Sequence, residues 1–218
     1  MVGSRASSDG IGTGEPCARL TAMSSARAKT KRHLHPIERG DLAVARAAAL
    51  DGRTTASRRI GAIAELGDQP PLRALCAIAI VAGLARCDPK LLRAGLRMLA
   101  AHSLATGIKS LIKHHVDRTR PADTFSNARY RLDQGHSHQA RLSSMPSGHS
   151  AGVAAVARAV ARDYPSAAPV AGAAAASVIL AQLPAKNHFL SDLAVGTMIG
   201  VAAEAVVSAL MTAAGDRD

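Results

Sequence analysis

The chain has 218 residues, with 27 Lys and Arg against 16 Asp and Glu for a formal net charge of +11. That length suits one domain with an arm rather than two full domains, and the charge points to an anionic partner: nucleic acid, lipid headgroup or phosphate ester. Aromatic residues are only 2% with no Trp, which argues against the stacking platforms of single-stranded nucleic-acid binders and removes the aromatic belt common at membrane interfaces.

Residues 1–40 are rich in Ser, Gly, Thr and Arg and carry a basic cluster, RAKTKRHLH, from Arg27 to His35. They read as a disordered basic arm, either drawn to anionic lipid headgroups or simply solvated, and Met23 offers an alternative start. No apolar core of the signal-peptide kind follows the first charges, so a cleaved leader is not expected. From Asp41 to Leu66 apolar and basic residues recur at helical spacing, with Asp41 placed as a cap and Gly67 as a stop. This predicts one amphipathic helix, too charged to span a bilayer. After the stop GDQPP come two moderately apolar helices, Leu72–Cys87 and Lys90 to about Ile112, broken by Arg73, Arg86, Arg93, Arg97 and His102. Residues 122–145 read as a long polar loop. Three alanine-rich helices follow: Ser150–Ala161, Ala167–Leu183 and Leu190–Met211. Nothing alternates with the strand period of two. The expectation is an all-α bundle of about five to six helices over residues 41–218. Cys17, Cys76 and Cys87 form no CxxC pair, so neither a disulfide framework nor a zinc knuckle is indicated. Cys76 and Cys87 read as small apolar fillers.

A membrane span needs about 20 mostly apolar residues, and SAAPVAGAAAASVILAQL and LSDLAVGTMIGVAAEAVVSALM nearly qualify. The alternative is a soluble bundle with an alanine-packed core. A charge at mid-bilayer costs about 3 kcal/mol on insertion scales, so charges within these helices are expected to face one another or a polar cavity.

Three polar clusters carry the chemistry. In KHHVDRTRP, Lys113 and Arg120 are seven residues apart, two helical turns, so both cations project from one face at a helix end that Pro121 closes. Such a pair suits a phosphate or a carboxylate. In PSGHS, Pro146 presets entry to a helix, Ser147 caps its free amides and Gly148 lets the backbone approach a ligand, which makes an anion site at a helix N-terminus. His149 then stands beside the anion, placed to give a proton to a leaving oxygen. In KNHFLSD, His188 and Asp192 are at i and i+4, so on a helix the carboxylate accepts the imidazole Nδ1–H and leaves Nε2 free as a nucleophile.

In this order, Lys-x6-Arg-Pro, Pro-Ser-Gly-His and His-x3-Asp, the motifs resemble the signature of the type 2 phosphatidic acid phosphatase superfamily. The resemblance runs by motif from Lys113 to Asp192. It implies a phosphatase in which His188 is the nucleophile that forms a phosphohistidine, Asp192 orients it and His149 is the general acid. It further implies that Lys113, Arg120, Ser147 and the Gly148 amide bind the phosphoryl oxygens, with no metal and no cofactor required. The family's third motif normally opens with Ser-Arg, seven and six residues before the nucleophile, whereas this chain has Ala181 and Gln182 there. Gln182 can donate a hydrogen bond but brings no charge, and Lys186 is the nearest candidate to supply one. His114, His115, His136 and His138 are open to reading as metal ligands or a lid, or as plain polar residues.

The resulting expectation is a multi-pass enzyme of the bacterial inner membrane that removes phosphate from a lipid phosphate monoester or pyrophosphate, with no nucleic-acid partner. The alternatives are a soluble acid phosphatase or vanadate-dependent haloperoxidase of the same superfamily, and a non-catalytic basic protein binding nucleic acid or anionic membrane.

Overall fold

In the computed structural model, the structure describes residues 34–126, 129–135 and 139–215. The arm up to residue 33, Cys17, Met23, His136 and His138 lie outside the described residues. Those described hold eight α-helices, two very short strands and two 3-10 turns.

Helix α1 (Pro36–Ala48) starts earlier than expected, because His35 and Glu38 form a capping box and Pro36 sits at the first helical position. Residues 36–40 of the expected arm are therefore helical, and Asp41 is a buried residue within the helix rather than its cap. The helix expected as continuous to Leu66 is two helices. Ala49 is extended, and Thr54 caps α2 (Thr55–Glu65) by accepting from the Ser57 amide at 3.1 Å. Helices α3 (Gln69–Ala85) and α4 (Pro89–Lys113) form a hairpin; Asp88 caps α4 by accepting from the Lys90 and Leu91 amides. Cys87 takes the left-handed backbone this turn requires and is exposed, so only Cys76 is the apolar filler expected.

Strands β1 (Val116–Arg118) and β2 (Leu132–Gln134) pair antiparallel around the short helix α5 (Pro121–Phe125), with Asp117 opposite Asp133. The chain is thus mostly rather than wholly helical. A 3-10 turn at Ala140–Leu142 leads into α6 (Gly148–Asp163), and α7 (Ala168–Ala181) and α8 (Leu190–Gly215) complete the fold.

Helix α6 is the central post, packed against α4, α7 and α8. On one side Leu72, Cys76, Met98, Val153, Val156 and Val178 form one apolar cluster; on the other Ala101, Ala105, Ala151, Ala155, Ile199 and Ala203 form a second, built mostly from alanine. The alanine seam permits close approach of backbones. A side chain at Gly196 would strike the Ser147 carbonyl, and one at Gly200 would strike that of Ala151. These two glycines, one turn apart on α8, press it against α6, the arrangement that small residues four apart provide in helix pairs.

Charges inside the bundle are paired, as the cost of burying them demands. Asp163 receives Arg97 at 2.5 Å and Arg93 at 3.2 Å, and buried Glu204 receives Arg162 at 2.9 Å and Arg158 at 3.5 Å. Among the described residues one helix is long and apolar enough to cross a membrane, Leu190–Ala214, with mean hydropathy 1.9. The other expected span, ending near Leu183, is a shorter apolar helix, as is α3.

Candidate active site

The segment Ser143 to His149, which enters α6, gathers the three clusters at one end of the bundle. Lys113, the last residue of α4, donates from Nζ to the Ser143 carbonyl at 2.8 Å. The Ser144 carbonyl accepts from His188 Nδ1 at 2.7 Å, while the Ser144 hydroxyl donates to Asp192 Oδ2 at 2.6 Å. Ser147 caps α6, its Oγ accepting from the Ser150 amide at 3.2 Å. With the Ser150 and Ala151 amides bonded back to Ser147, the amides of Gly148 and His149 are left at the helix start, where the macrodipole favours an anion.

His188 is buried, and its ring stands 5.6 Å, centroid to centroid, from that of His149. With Nδ1 on the Ser144 carbonyl, that nitrogen carries the proton and the Nε2 lone pair is free. Burial, then the positive charges of Arg120 and Lys113, hold the imidazole's pKa well below the usual histidine value. It is therefore neutral at pH 7, the form that attacks phosphorus.

The expected direct pairing of His188 with Asp192 is not what the structure shows. Helix α8 begins at Leu190, so His188 precedes it and the i, i+4 geometry does not apply. Nδ1 lies 4.0 Å from Asp192 Oδ2, beyond a hydrogen bond, and the two are linked through Ser144. Asp192 also reaches back to accept from the Phe189 amide at 2.9 Å, which fixes the start of α8.

Asp192 is held by a residue the motif reading passed over. The Arg118 guanidinium, buried at the end of β1, donates to Asp192 Oδ1 and Asp41 Oδ2 at 2.6 Å each, to Ser191 Oγ at 2.7 Å and to Tyr130 at 3.1 Å, and lies 4.4 Å from the Phe189 ring centre. Burial opposes its charge, but Asp192, Asp41 and Tyr130 outweigh that and raise its pKa. Asp41 brings α1 into the network and accepts from the Ser191 amide at 3.0 Å. The only sequence hint was a second arginine two places before Arg120.

A second missed residue is Asp68. It stands at the N-cap of α3 yet makes no side-chain cap; its carboxylate instead meets His149 Nε2 at 2.7 Å. Burial, with Arg120 and Lys113, pulls the His149 pKa below the usual histidine value, and Asp68 opposes that pull by stabilising the proton.

Of the remaining expected residues, Arg120 acts electrostatically on both histidines, and its buried Nε makes no hydrogen bond. Gln182 is fully buried and spent on structure: its amide donates to the Ala64 carbonyl at 2.8 Å and its oxygen accepts from Asn187 at 2.9 Å. The phosphate-binding role expected of it has no free donor pointing to the histidines. Lys186 is half-buried on left-handed backbone, and its carbonyl accepts from the Ala122 amide at 3.1 Å. His115 Nδ1 bonds the Leu111 carbonyl at 2.8 Å. Among the described residues no three His, Cys, Asp or Glu side chains gather to hold a metal ion.

A neutral buried imidazole, a second histidine with a carboxylate partner, and two cations around a helix N-terminus make a centre for phosphoryl transfer, and the comparisons with known proteins agree with that class. The PAP2 superfamily pattern matches residues 94–216, more than half of the chain. The chain belongs to the PAP2 superfamily and is a PAP2-type phosphatase by family. Its fold is similar to the crystal structure of a transmembrane PAP2 type phosphatidylglycerolphosphate phosphatase from Bacillus subtilis, with TM-score 0.57 and 20% identity over 83% of this chain and 88% of that one. It is also similar to Aquifex aeolicus LpxE, with TM-score 0.58 and 18% identity over 76% of this chain and 93% of that one. At such identities the likeness is one of fold. No curated protein matches the chain in sequence.

Proposed function

We propose that the protein is a membrane-embedded phosphatase that removes phosphate from a lipid phosphate monoester or pyrophosphate through a phosphohistidine on His188. The observation that carries the mechanism is the hydrogen bond from His188 Nδ1 to the Ser144 carbonyl, which leaves Nε2 unprotonated in a ring 5.6 Å from that of His149. Nε2 attacks phosphorus while the bond from phosphorus to the leaving oxygen breaks, and His149 passes a proton to that oxygen. Water then attacks the phosphohistidine, gives its proton to His149, and inorganic phosphate departs with His188 restored. Lys113, Arg120, Ser147 and the amides of Gly148 and His149 hold the phosphoryl oxygens. Asp192 offsets the positive charge that the ring gains on phosphorylation, acting across 4.0 Å.

The lipid substrate is supported by an apolar groove of about 330 Å³ lined by Leu66, Leu72, Leu75, Val153, Val156 and Val178. Gly67 follows Leu66 of that lining, and a side chain there would lie 3.1 Å from His149 Cβ and 3.2 Å from Val153, so the lining and the site are close neighbours. An acyl or isoprenoid tail fits there while its headgroup reaches His149. The membrane location is supported by the candidate span in α8 and by large apolar side chains exposed on three helices: Leu75, Ile78, Val81 and Leu84 on α3, Val170 and Leu180 on α7, and Met198, Val206 and Leu210 on α8. The bacterial inner membrane is the location proposed.

The test is phosphate release from lipid phosphates by the protein in detergent or vesicles. Release in the presence of chelator, inhibition by vanadate, and loss of activity in His188→Ala and His149→Ala are expected. Activity that survives His188→Ala would falsify the mechanism.

A further inference from the structure

Gln182 is spent on the Ala64 carbonyl, so it brings no charge to the phosphoryl group. A cation of suitable placement stands elsewhere, at a position no motif covers. Lys109 lies one turn before Lys113 on α4, and its side chain runs across the face of Gly148. A Cβ built at Gly148 would be 3.1 Å from Lys109 Cδ and 3.5 Å from Nζ. The ammonium is thus at the first residue of α6, beside the free amides that begin that helix. The glycine is required here for a reason beyond backbone freedom, since a side chain would occupy the path of the lysine.

This placement is electrostatically uphill against the protein's own charges. The positive end of the α6 dipole faces the ammonium, and the charge that bears on Lys109, Arg73, is also positive; Lys113 feels Lys109 and Arg120, opposed by the more weakly acting Asp192. Among the described residues no carboxylate forms an ion pair with Lys109, in contrast to Arg93, Arg97, Arg118, Arg158 and Arg162, each of which has one. A half-buried cation set among cations and helix amides is satisfied by an anion bound between them.

We infer that Lys109 is a phosphoryl-binding residue of this site and supplies the positive charge missing at position 182. The inference rests on the phosphatase reading of the site. It makes the cationic wall Lys109, Lys113 and Arg120, with two of the three on one face of α4.

The experiment measures two quantities on the full chain: equilibrium binding of inorganic phosphate, and kcat/KM for phosphate release from a lipid phosphate. Lys109→Met is expected to weaken phosphate binding about tenfold and to lower kcat/KM about a hundredfold, as loss of one charge-stabilising donor does. Lys109→Arg restores most of both, and Lys186→Met leaves both near wild type. A melting temperature like that of wild type shows that Lys109→Met is folded; if it is not, Lys109→Gln against Lys109→Arg gives the same comparison of charge. Wild-type values in a folded Lys109→Met or Lys109→Gln overturn the inference and leave the phosphatase reading intact, as does a loss seen only in Lys186→Met. A wild-type protein that neither binds phosphate nor releases it overturns the reading of the site, and the role of Lys109 with it.

Discussion

Replacing Arg118 by Met tests the network beneath the nucleophile. The guanidinium is 1% exposed, and its two carboxylate partners, Asp41 and Asp192, are 4% and 0% exposed. Methionine keeps the apolar stem but leaves both carboxylates in the interior without a cation. Removing one partner of a buried ion pair costs about 3–5 kcal/mol, because the remaining charge is uncompensated. For a chain of this size each kcal/mol moves the melting temperature by about 2–4 °C, so a fall of roughly 6–20 °C is expected. The chain has no Trp, but the buried thiol of Cys76 reports unfolding through a thiol-reactive dye once Cys17 and the exposed Cys87 are both replaced by Ser. Adding Asp41→Asn to Arg118→Met removes one stranded charge and should recover part of the loss. A fall of less than about 2 °C, or a double variant that loses the sum of the two single effects, would refute the reasoning.

Asp68→Asn removes the charge beside His149 while keeping the residue's shape. Asp68 is half exposed, so the contact is worth far less than the ~4 kcal/mol of a close pair at an effective dielectric of 20; with solvent screening it is about 1 kcal/mol, a roughly fivefold fall in kcat. The fall should vanish with an aryl phosphate whose leaving oxygen needs no proton, and an equal fall on both substrates would remove Asp68 from the proton path. Because His188 holds its proton less tightly than an ordinary histidine, the neutral nucleophile persists into acid, and the acidic limb of kcat/KM should lie below pH 6.5. Arg120→Met takes away a charge that disfavours the protonated ring, so it should move that limb upward in pH as well as lower the rate; an unmoved limb would show that Arg120 does not act on His188. Gln182→Arg should lower the melting temperature without raising turnover, since the new guanidinium displaces the bonds to Ala64 and Asn187. Higher turnover in that variant would show that Lys109 leaves the site short of charge.

The start of α6 was legible, because Pro146 and Ser147 mark it, and Ser147 caps that helix. The start of α1 was not, because Pro36 and its capping box lie in a stretch whose composition reads as an arm. The strand pair was not legible, because Val116–Arg118 and Leu132–Gln134 are three residues each, too short for a period of two to register. At the site, the spacing of Lys113, Arg120, Ser147, His149 and His188 in the chain matched residues that the fold draws to one end of the bundle. The link between His188 and Asp192 was misread because the spacing rule assumes both residues are on the helix, and α8 starts between them. Asp41, Asp68, Lys109 and Arg118 carry no local signal of their role. Asp68 looks like a helix cap and Lys109 like a helix-end cation until a partner from another segment is seen beside it.

The bonds from Asp41 to Ser191 join residues 150 positions apart, and they have a consequence for the order in which the molecule is made. Helix α1 is synthesised with an aspartate whose partners, Arg118 and Ser191, do not yet exist. The site therefore closes only when the start of α8 arrives, so a growing chain that stops short of Asp192 is expected to be without activity.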